Sequence, residues 1–222
     1  MFENLQGFFE STTGQVITVL VMLLFFAWIL IPMGKEKQNR SSRDTAKVIT
    51  LSAILIALGM ILGQIKVFEM PQGGSVTAFS MLPIALCAYL LGTRRGVMAG
   101  ICLGLLNLIF GPYVIHPVQM LIDYPLAFGA MGLGGFFRSS KHGLIKVYLT
   151  GLVGRYLCAV LSGIIFFGAY APEGFNAVTW SLWYNITYLG VEGLITTALL
   201  CIPQVSQLFN RIKMEYRLPN PA

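Results

Sequence analysis

The stretch HPVQMLIDYPLAF, residues 116–128, begins a long apolar run and yet places a carboxylate, Asp123, inside it. An ionisable group in the hydrocarbon of a bilayer costs roughly 2.5–3.5 kcal/mol even on lenient insertion scales, so it is retained only where something offsets that cost. His116, Gln119 and Asp123 follow one another at i, i+3 and i+7, which predicts one helical face with Tyr124 beside it. This polar stripe near the outer end of an apolar helix predicts a binding site for a polar, cationic small molecule.

The composition around this stretch is that of a multi-pass membrane protein. Of 222 residues, 56% are hydrophobic and 11% are charged, and the mean hydropathy is +0.74. Soluble domains carry about 25% charged residues. The apolar runs are continuous rather than alternating, which favours an all-α membrane protein over a β-barrel.

Seven membrane spans are predicted, near residues 15–33, 48–65, 79–93, 96–111, 118–137, 147–168 and 179–203. The first lacks the basic start and the cleavage site of a signal peptide, so it is expected to be a genuine helix. The predicted organisation is an N-terminal transmembrane helix with a basic linker (1–47), a six-helix membrane core (48–203) and a cytoplasmic tail (204–222).

The basic residues predict the orientation of these spans. With the N-terminus outside, the inner segments are 35–47, 94–95, 138–146 and the tail, and they hold 13 of the 15 lysines and arginines. Positive charge concentrates on the cytoplasmic side of membrane proteins. The sequence therefore predicts a plasma-membrane protein with its N-terminus outside and its C-terminus in the cytoplasm.

Two outer loops and one glycine line add detail to this topology. Residues 66–78 and 169–178 combine proline, glycine and aromatic residues, which predicts structured turns that cover a site from outside, unless they are ordinary connectors. Gly96, Gly100 and Gly104 form a GxxxGxxxG line that permits close helix packing. The alternative for that line is a docking face for another membrane protein.

Three ionisable residues fall inside predicted spans: Asp123, Arg155 and Glu192. At 1.5 Å per residue, Arg155 and Glu192 have similar depths, which favours a buried ion pair between them. The functional alternative makes Glu192 a second ligand contact or a proton carrier. A proton-coupled secondary transporter would use it in the latter way, but no inverted repeat is visible in the sequence.

No motif indicates an enzyme. The sequence has no HExxH, GxSxG or P-loop, so any ATP-driven transport would use separate ATPase subunits. The four cysteines lie in apolar runs without metal-ligand spacing, and neither a metal nor a cofactor is expected. Aromatic residues cluster at the outer ends of the last two spans, where they form an interfacial belt or stack on a flat cationic heterocycle.

Several blocks together resemble the thiamine-specific S-components of energy-coupling-factor (ECF) vitamin transporters. They are MPQGGSV (70–76), HPVQMLIDYPLAF (116–128), RY at 155–156 followed by SGIIFFGAYAPEG (162–174), and WSLWYN (180–185). The resemblance covers about residues 48–203. It implies a membrane subunit that binds its vitamin from outside and docks on a membrane T component driven by two cytoplasmic ATPases.

The resemblance also implies roles for individual residues. It assigns the carboxylate that faces the thiazolium to Asp123, with Tyr124 and Gln119 as its neighbours, and it assigns ligand contacts to Phe167, Trp180 and Asn185. It implies that Ala53 and Ala57 form the docking pattern on the first core helix.

This chain departs from the family pattern in three places. Ala159 stands where members carry a ligand-contacting histidine, Glu192 is an unusual acid, and residues 15–33 are an extra helix. A thiamine precursor or another cationic heterocyclic vitamin is therefore an alternative substrate.

Overall fold

This computed structural model describes residues 11–31 and 42–215, and that part of the chain is mostly helical. Its helices are α1 (Thr12–Leu30), α2 (Ser42–Gln64), α3 (Leu82–Leu91), α4 (Thr93–Asn107), α5 (Pro117–Phe137), α6 (Gly143–Phe166), α7 (Ala177–Cys201) and α8 (Pro203–Glu215). Strands β1 (Lys66–Glu69) and β2 (Ser75–Thr77) pair antiparallel in the first predicted outer loop, on either side of a 3₁₀ turn at Pro71–Gly73. The prediction of a mainly helical protein with apolar helices is confirmed. The β1–β2 hairpin was not predicted.

Within the described residues, three segments are long and apolar enough to cross a membrane: Asp44–Gln64, Pro117–Phe137 and Gly143–Phe166. Helices α7 and α8 make a fourth if the two, bent by 80°, are counted as one span. Helices α3 and α4 have only 10 and 15 residues, whereas a perpendicular crossing takes about 20. Pro83 lies in the first turn of α3, where a missing backbone N–H costs nothing.

The glycine line on α4 makes internal contacts. A Cβ placed on Gly100 would lie 2.1 Å from the carbonyl oxygen of Phe128, and one on Gly104 would lie 2.4 Å from that of Tyr124. Only glycine lets the α4 and α5 backbones approach this closely. The expected internal packing is therefore confirmed, and this line is not a free docking face.

Helix α5 is not a regular α-helix. Residues Pro117–Leu121 are α-helical, Ile122–Leu126 form a wide π-helical turn that contains Pro125, and Met131–Phe137 form a 3₁₀ helix. Because proline has no backbone N–H and its ring clashes with the preceding turn, a regular ladder cannot continue through Pro125. Asp123 lies inside this wide turn, and π-helical turns are frequently found at functional sites.

Helices α1 and α8 lie at the two ends of the described part of the chain. Helix α1 lies against the Ile122–Leu126 turn, and the α2 face that carries Ala53 and Ala57 is exposed. The predicted tail begins with helix α8, where Val205 and Phe209 pack on the core. Residues 35–41 of the basic linker and residues 216–222 lie outside the described part of the chain.

Candidate substrate-binding cavity

A cavity of about 240 Å³ lies between the β1–β2 hairpin and helices α5, α6 and α7. Each of these elements contributes polar or aromatic side chains to its wall. The predicted site residues that line it are Gln119, Asp123, Tyr124, Phe167, Trp180, Asn185 and Glu192. A concave site with a few convergent polar groups and aromatic walls suits a small molecule.

Asp123 is held in place by a buried amide. Gln119, which is 1% exposed, donates from Nε2 to Asp123 Oδ2 at 2.6 Å and to the carbonyl oxygen of Tyr113 at 3.1 Å. Its Oε1 accepts from the backbone N–H of Ile115 at 3.2 Å. Gln119 thus joins the carboxylate to the loop that precedes α5, and the predicted shared face of Gln119 and Asp123 is observed.

Tyr124, the residue after Asp123, contacts the same loop through its hydroxyl group. Its hydroxyl oxygen accepts from the backbone N–H of Tyr113 at 2.8 Å. The π-helical turn makes this contact possible, because the wider turn brings consecutive residues Asp123 and Tyr124 both to the cavity wall. Tyr113 itself lines the cavity and approaches Phe167, with ring centroids 6.0 Å apart.

A series of rings continues from there along α7. Trp180 contacts Tyr184 at 5.7 Å between ring centroids, and Tyr184 contacts Tyr188 at 5.8 Å. Asn185 is 5% exposed, and its Nδ2 donates to the carbonyl oxygen of Ser181 at 2.9 Å. Its Oδ1 accepts from the Tyr188 hydroxyl at 2.9 Å. The amide is therefore fixed in orientation beside the aromatic wall.

The predicted ion pair between Arg155 and Glu192 is wrong. Both residues are described and line the cavity, but no salt bridge joins them. Glu192 instead accepts hydrogen bonds from Thr77 and Ser80. The guanidinium carbon of Arg155 lies 3.9 Å from the centre of the Phe128 ring, and its buried Nη1 has no hydrogen-bond partner among the described residues.

His116 is outside the cavity wall, although its spacing placed it on the face of Gln119 and Asp123. It is the exposed N-cap of α5: its Nδ1 accepts from the Val118 N–H at 3.1 Å, and its ring stacks on Phe166 at 5.1 Å. An N-cap residue has extended rather than helical backbone angles, as His116 does at φ −152°, so helical spacing does not extend to it.

The cavity also contains residues that sequence reasoning did not single out. They are chiefly Thr77, Ser80, Tyr113 and Ser162. Tyr184, from the predicted aromatic cluster, and Tyr188, from the predicted face of Asn185 and Glu192, also line the cavity. Nothing in the local sequence marks Thr77 or Ser80, because their partner, Glu192, is more than 100 residues away.

Apolar helices of spanning length around one polar cavity define a multi-pass membrane protein with a small-molecule site. Comparison with known proteins identifies the particular group: residues 49–210 match the model of the family described as thiamine transporter protein (Thia_YuaJ). The chain therefore belongs to this thiamine transporter family.

Individual relatives agree with this assignment. The chain is 33% identical to the thiamine transporter ThiT of Bacillus subtilis (strain 168), over 74% of this chain and 92% of that protein. It is 32% identical to the thiamine transporter ThiT of Lacticaseibacillus paracasei, over 70% of this chain and 83% of that protein. The solved structure of ThiT from Listeria monocytogenes matches with a TM-score of 0.63 at 27% identity, over 74% of this chain and 98% of that one.

Proposed function

We propose that this chain is the substrate-binding membrane subunit of an ECF-type vitamin importer and that its substrate is thiamine. The observation that carries the proposal is the charge of the cavity. The charged side chains of its wall are the carboxylates of Asp123 and Glu192, the guanidinium of Arg155 and the ammonium of the exposed Lys66. Lys66 is paired with Glu69, which lies outside the wall, so the other three groups leave a formal net charge of −1 when all are ionised. A permanently cationic substrate neutralises this wall without any proton transfer.

The shape and chemistry of the remaining wall support the same substrate. Thiamine has a thiazolium cation and a flat aminopyrimidine ring. Asp123 is the proposed partner of the cation, with Gln119 fixing its position and Tyr124 next to it in the wall. Phe167 and Trp180 are proposed to stack on the rings, at about 0.5–1.5 kcal/mol per ring pair, and Asn185 is proposed to recognise the aminopyrimidine.

The proposed assembly follows from the family and from the exposed surface of α2. Ala53 and Ala57 are exposed on that helix, as a docking face for a membrane T component requires. Two cytoplasmic ATPases would drive the complex. We further propose a six-helix core of residues 48–203 preceded by one extra transmembrane helix, with the N-terminus outside and the C-terminus in the cytoplasm.

Thiamine titration of the purified, detergent-solubilised chain, followed by tryptophan fluorescence, tests the substrate. Trp180 lines the cavity and should report on a stacked ligand. We expect saturable quenching at submicromolar thiamine. Well-folded protein that fails to respond would refute thiamine and redirect the search to thiamine precursors.

Reconstitution tests the mode of energy coupling. In liposomes, uptake is expected only when the chain is joined by the T component, the two ATPases and internal ATP. Accumulation by the chain alone on an imposed pH gradient would instead identify a proton-coupled secondary transporter.

A further inference from the structure

Glu192 differs from the other cavity carboxylate in what its oxygens contact. Its Oε2 accepts from the backbone N–H of Thr77 at 3.0 Å and from the Thr77 hydroxyl at 2.7 Å. Its Oε1 accepts from the Ser80 hydroxyl at 3.3 Å. The residue is 4% exposed. Both carboxylate oxygens are thus engaged by the segment that leaves strand β2.

Side-chain hydrogen bonds attach the hairpin to α7. Within the described residues, the side-chain hydrogen bonds between the hairpin and the helices end on α7. Besides the Glu192 contacts, the Tyr184 hydroxyl accepts from the Gly74 N–H at 2.9 Å and donates to the carbonyl oxygen of Pro71, and the Thr187 hydroxyl donates to the sulfur of Met70 at 3.3 Å. Strand β1 is exposed along its whole length.

Glu192 provides the charged contacts in this attachment. Hydrogen bonds to an ionised acceptor are roughly twice as strong as neutral ones. The other attachments use a phenol hydroxyl and a thioether, which are neutral groups. The Glu192 contact lies at the base of the hairpin, where β2 leads into α3. It therefore fixes the position of the hairpin relative to the cavity.

We propose that Glu192 is a positioning residue: it does not contact the substrate cation but holds Thr77, and through Thr77 the hairpin, over the cavity. Substrate release then requires these charged hydrogen bonds to break, and their strength sets the rate of release. The identity of the released ligand rests on the function proposed above, whereas the attachment of the hairpin does not.

Hydrogen–deuterium exchange of the ligand-free protein tests the attachment. Glu192→Gln keeps the shape of the side chain but removes its charge, and it is expected to raise the exchange rate of peptides from 66–78 by about 10-fold or more. Thr77→Val, which replaces the hydroxyl with a methyl group, should act in the same direction, whereas Thr77→Ser, which keeps the hydroxyl, should retain protection. Unchanged exchange in Glu192→Gln would overturn the proposal.

A double-mutant cycle tests whether the two side chains act as one contact. If Glu192 acts through Thr77, the effect of the double variant on hairpin exchange will be smaller than the product of the two single effects. Independent, multiplicative effects would show that Glu192 does not act through Thr77.

A comparison of a charged and a neutral ligand distinguishes a positioning role of Glu192 from a direct contact with the substrate cation. The dissociation rates of thiamine and of a neutral analogue with a thiophene in place of the thiazolium should both rise, by about 10-fold or more, in Glu192→Gln. Asp123→Asn should weaken thiamine binding selectively. A Glu192→Gln effect confined to thiamine would overturn the proposal in favour of a direct contact with the cation. Should neither ligand bind the wild-type protein, the proposed function would fail, and hairpin exchange would still decide the role of Glu192.

Discussion

The sharpest test of the cavity is Asp123→Asn. The substitution removes one negative charge and keeps the size of the side chain. The asparagine oxygen can still accept the hydrogen bond that Gln119 donates to Asp123 at 2.6 Å. The wide turn of α5 and the loop that Gln119 holds should therefore stay in place, so the change isolates the charge.

The expected magnitude follows from the position of this carboxylate. Unit charges about 4 Å apart interact by about 4 kcal/mol at an effective dielectric constant of about 20. Asp123 is half-buried at the wall of a cavity, so solvent screens part of this energy. We expect a loss of about 2–4 kcal/mol, which corresponds to a rise of about 30- to 700-fold in the Kd for thiamine.

The assay is a fluorescence titration of the variant beside a matched control. Glu173→Gln removes the same charge from an exposed position outside the cavity and should bind like the wild type. The neutral thiophene analogue should lose little affinity in Asp123→Asn. A thiamine Kd within threefold of wild type would refute the argument that this carboxylate pairs with the cation.

Three further substitutions test the support of the site, the packing of the core and the docking face. Gln119→Leu removes the buried amide that joins Asp123 to the preceding loop, and it should raise the thiamine Kd at least tenfold without changing the calorimetric stoichiometry. Gly100→Val drives a Cβ against the α5 backbone and should abolish monodisperse protein in size-exclusion chromatography, whereas Gly190→Ala, whose nearest neighbour is a side-chain atom at 3.4 Å, should not. Ala53→Trp should leave thiamine binding intact and abolish ATP-driven uptake in proteoliposomes. Val153→Trp, on an exposed face of α6, should leave both unchanged, and equal uptake by the two tryptophan variants would exclude α2 as the docking surface.

Local sequence predicted the features that depend on local geometry. Gln119 and Asp123 are four residues apart on one helix, and their contact follows from the helical repeat. The glycine line of α4 predicted close packing because a helix surface without side chains lets the backbone of any neighbouring helix approach closely, whichever helix that is. The hairpin was not predicted because its two short strands are interrupted by turn residues.

The Arg155–Glu192 prediction failed because it compared the depths of the two side chains along their helices but not the directions in which they point. The rise per residue gives the depth of a side chain along a helix, but the rotation of each helix about its axis is set by packing. In the structure, α7 turns Glu192 toward Thr77, 115 residues earlier in the chain, and Arg155 lies over the Phe128 ring. Matching depths are therefore a weak basis for pairing charges on different helices.

The resulting arrangement bears on how binding and stability are linked. A buried donor without a hydrogen-bond partner costs about 1–3 kcal/mol, and the Nη1 of Arg155, at the wall of the cavity, has no partner in the part of the chain that the structure describes. Its positive charge partly compensates the carboxylates of the cavity wall, so removing it would leave their charge less compensated. A ligand that carries a cation and hydrogen-bond acceptors offsets both costs at once, because the cation balances the carboxylates and an acceptor satisfies the guanidinium. We therefore expect a cavity wall that carries both Asp123 and Arg155 to favour ligands with both features over simple cations.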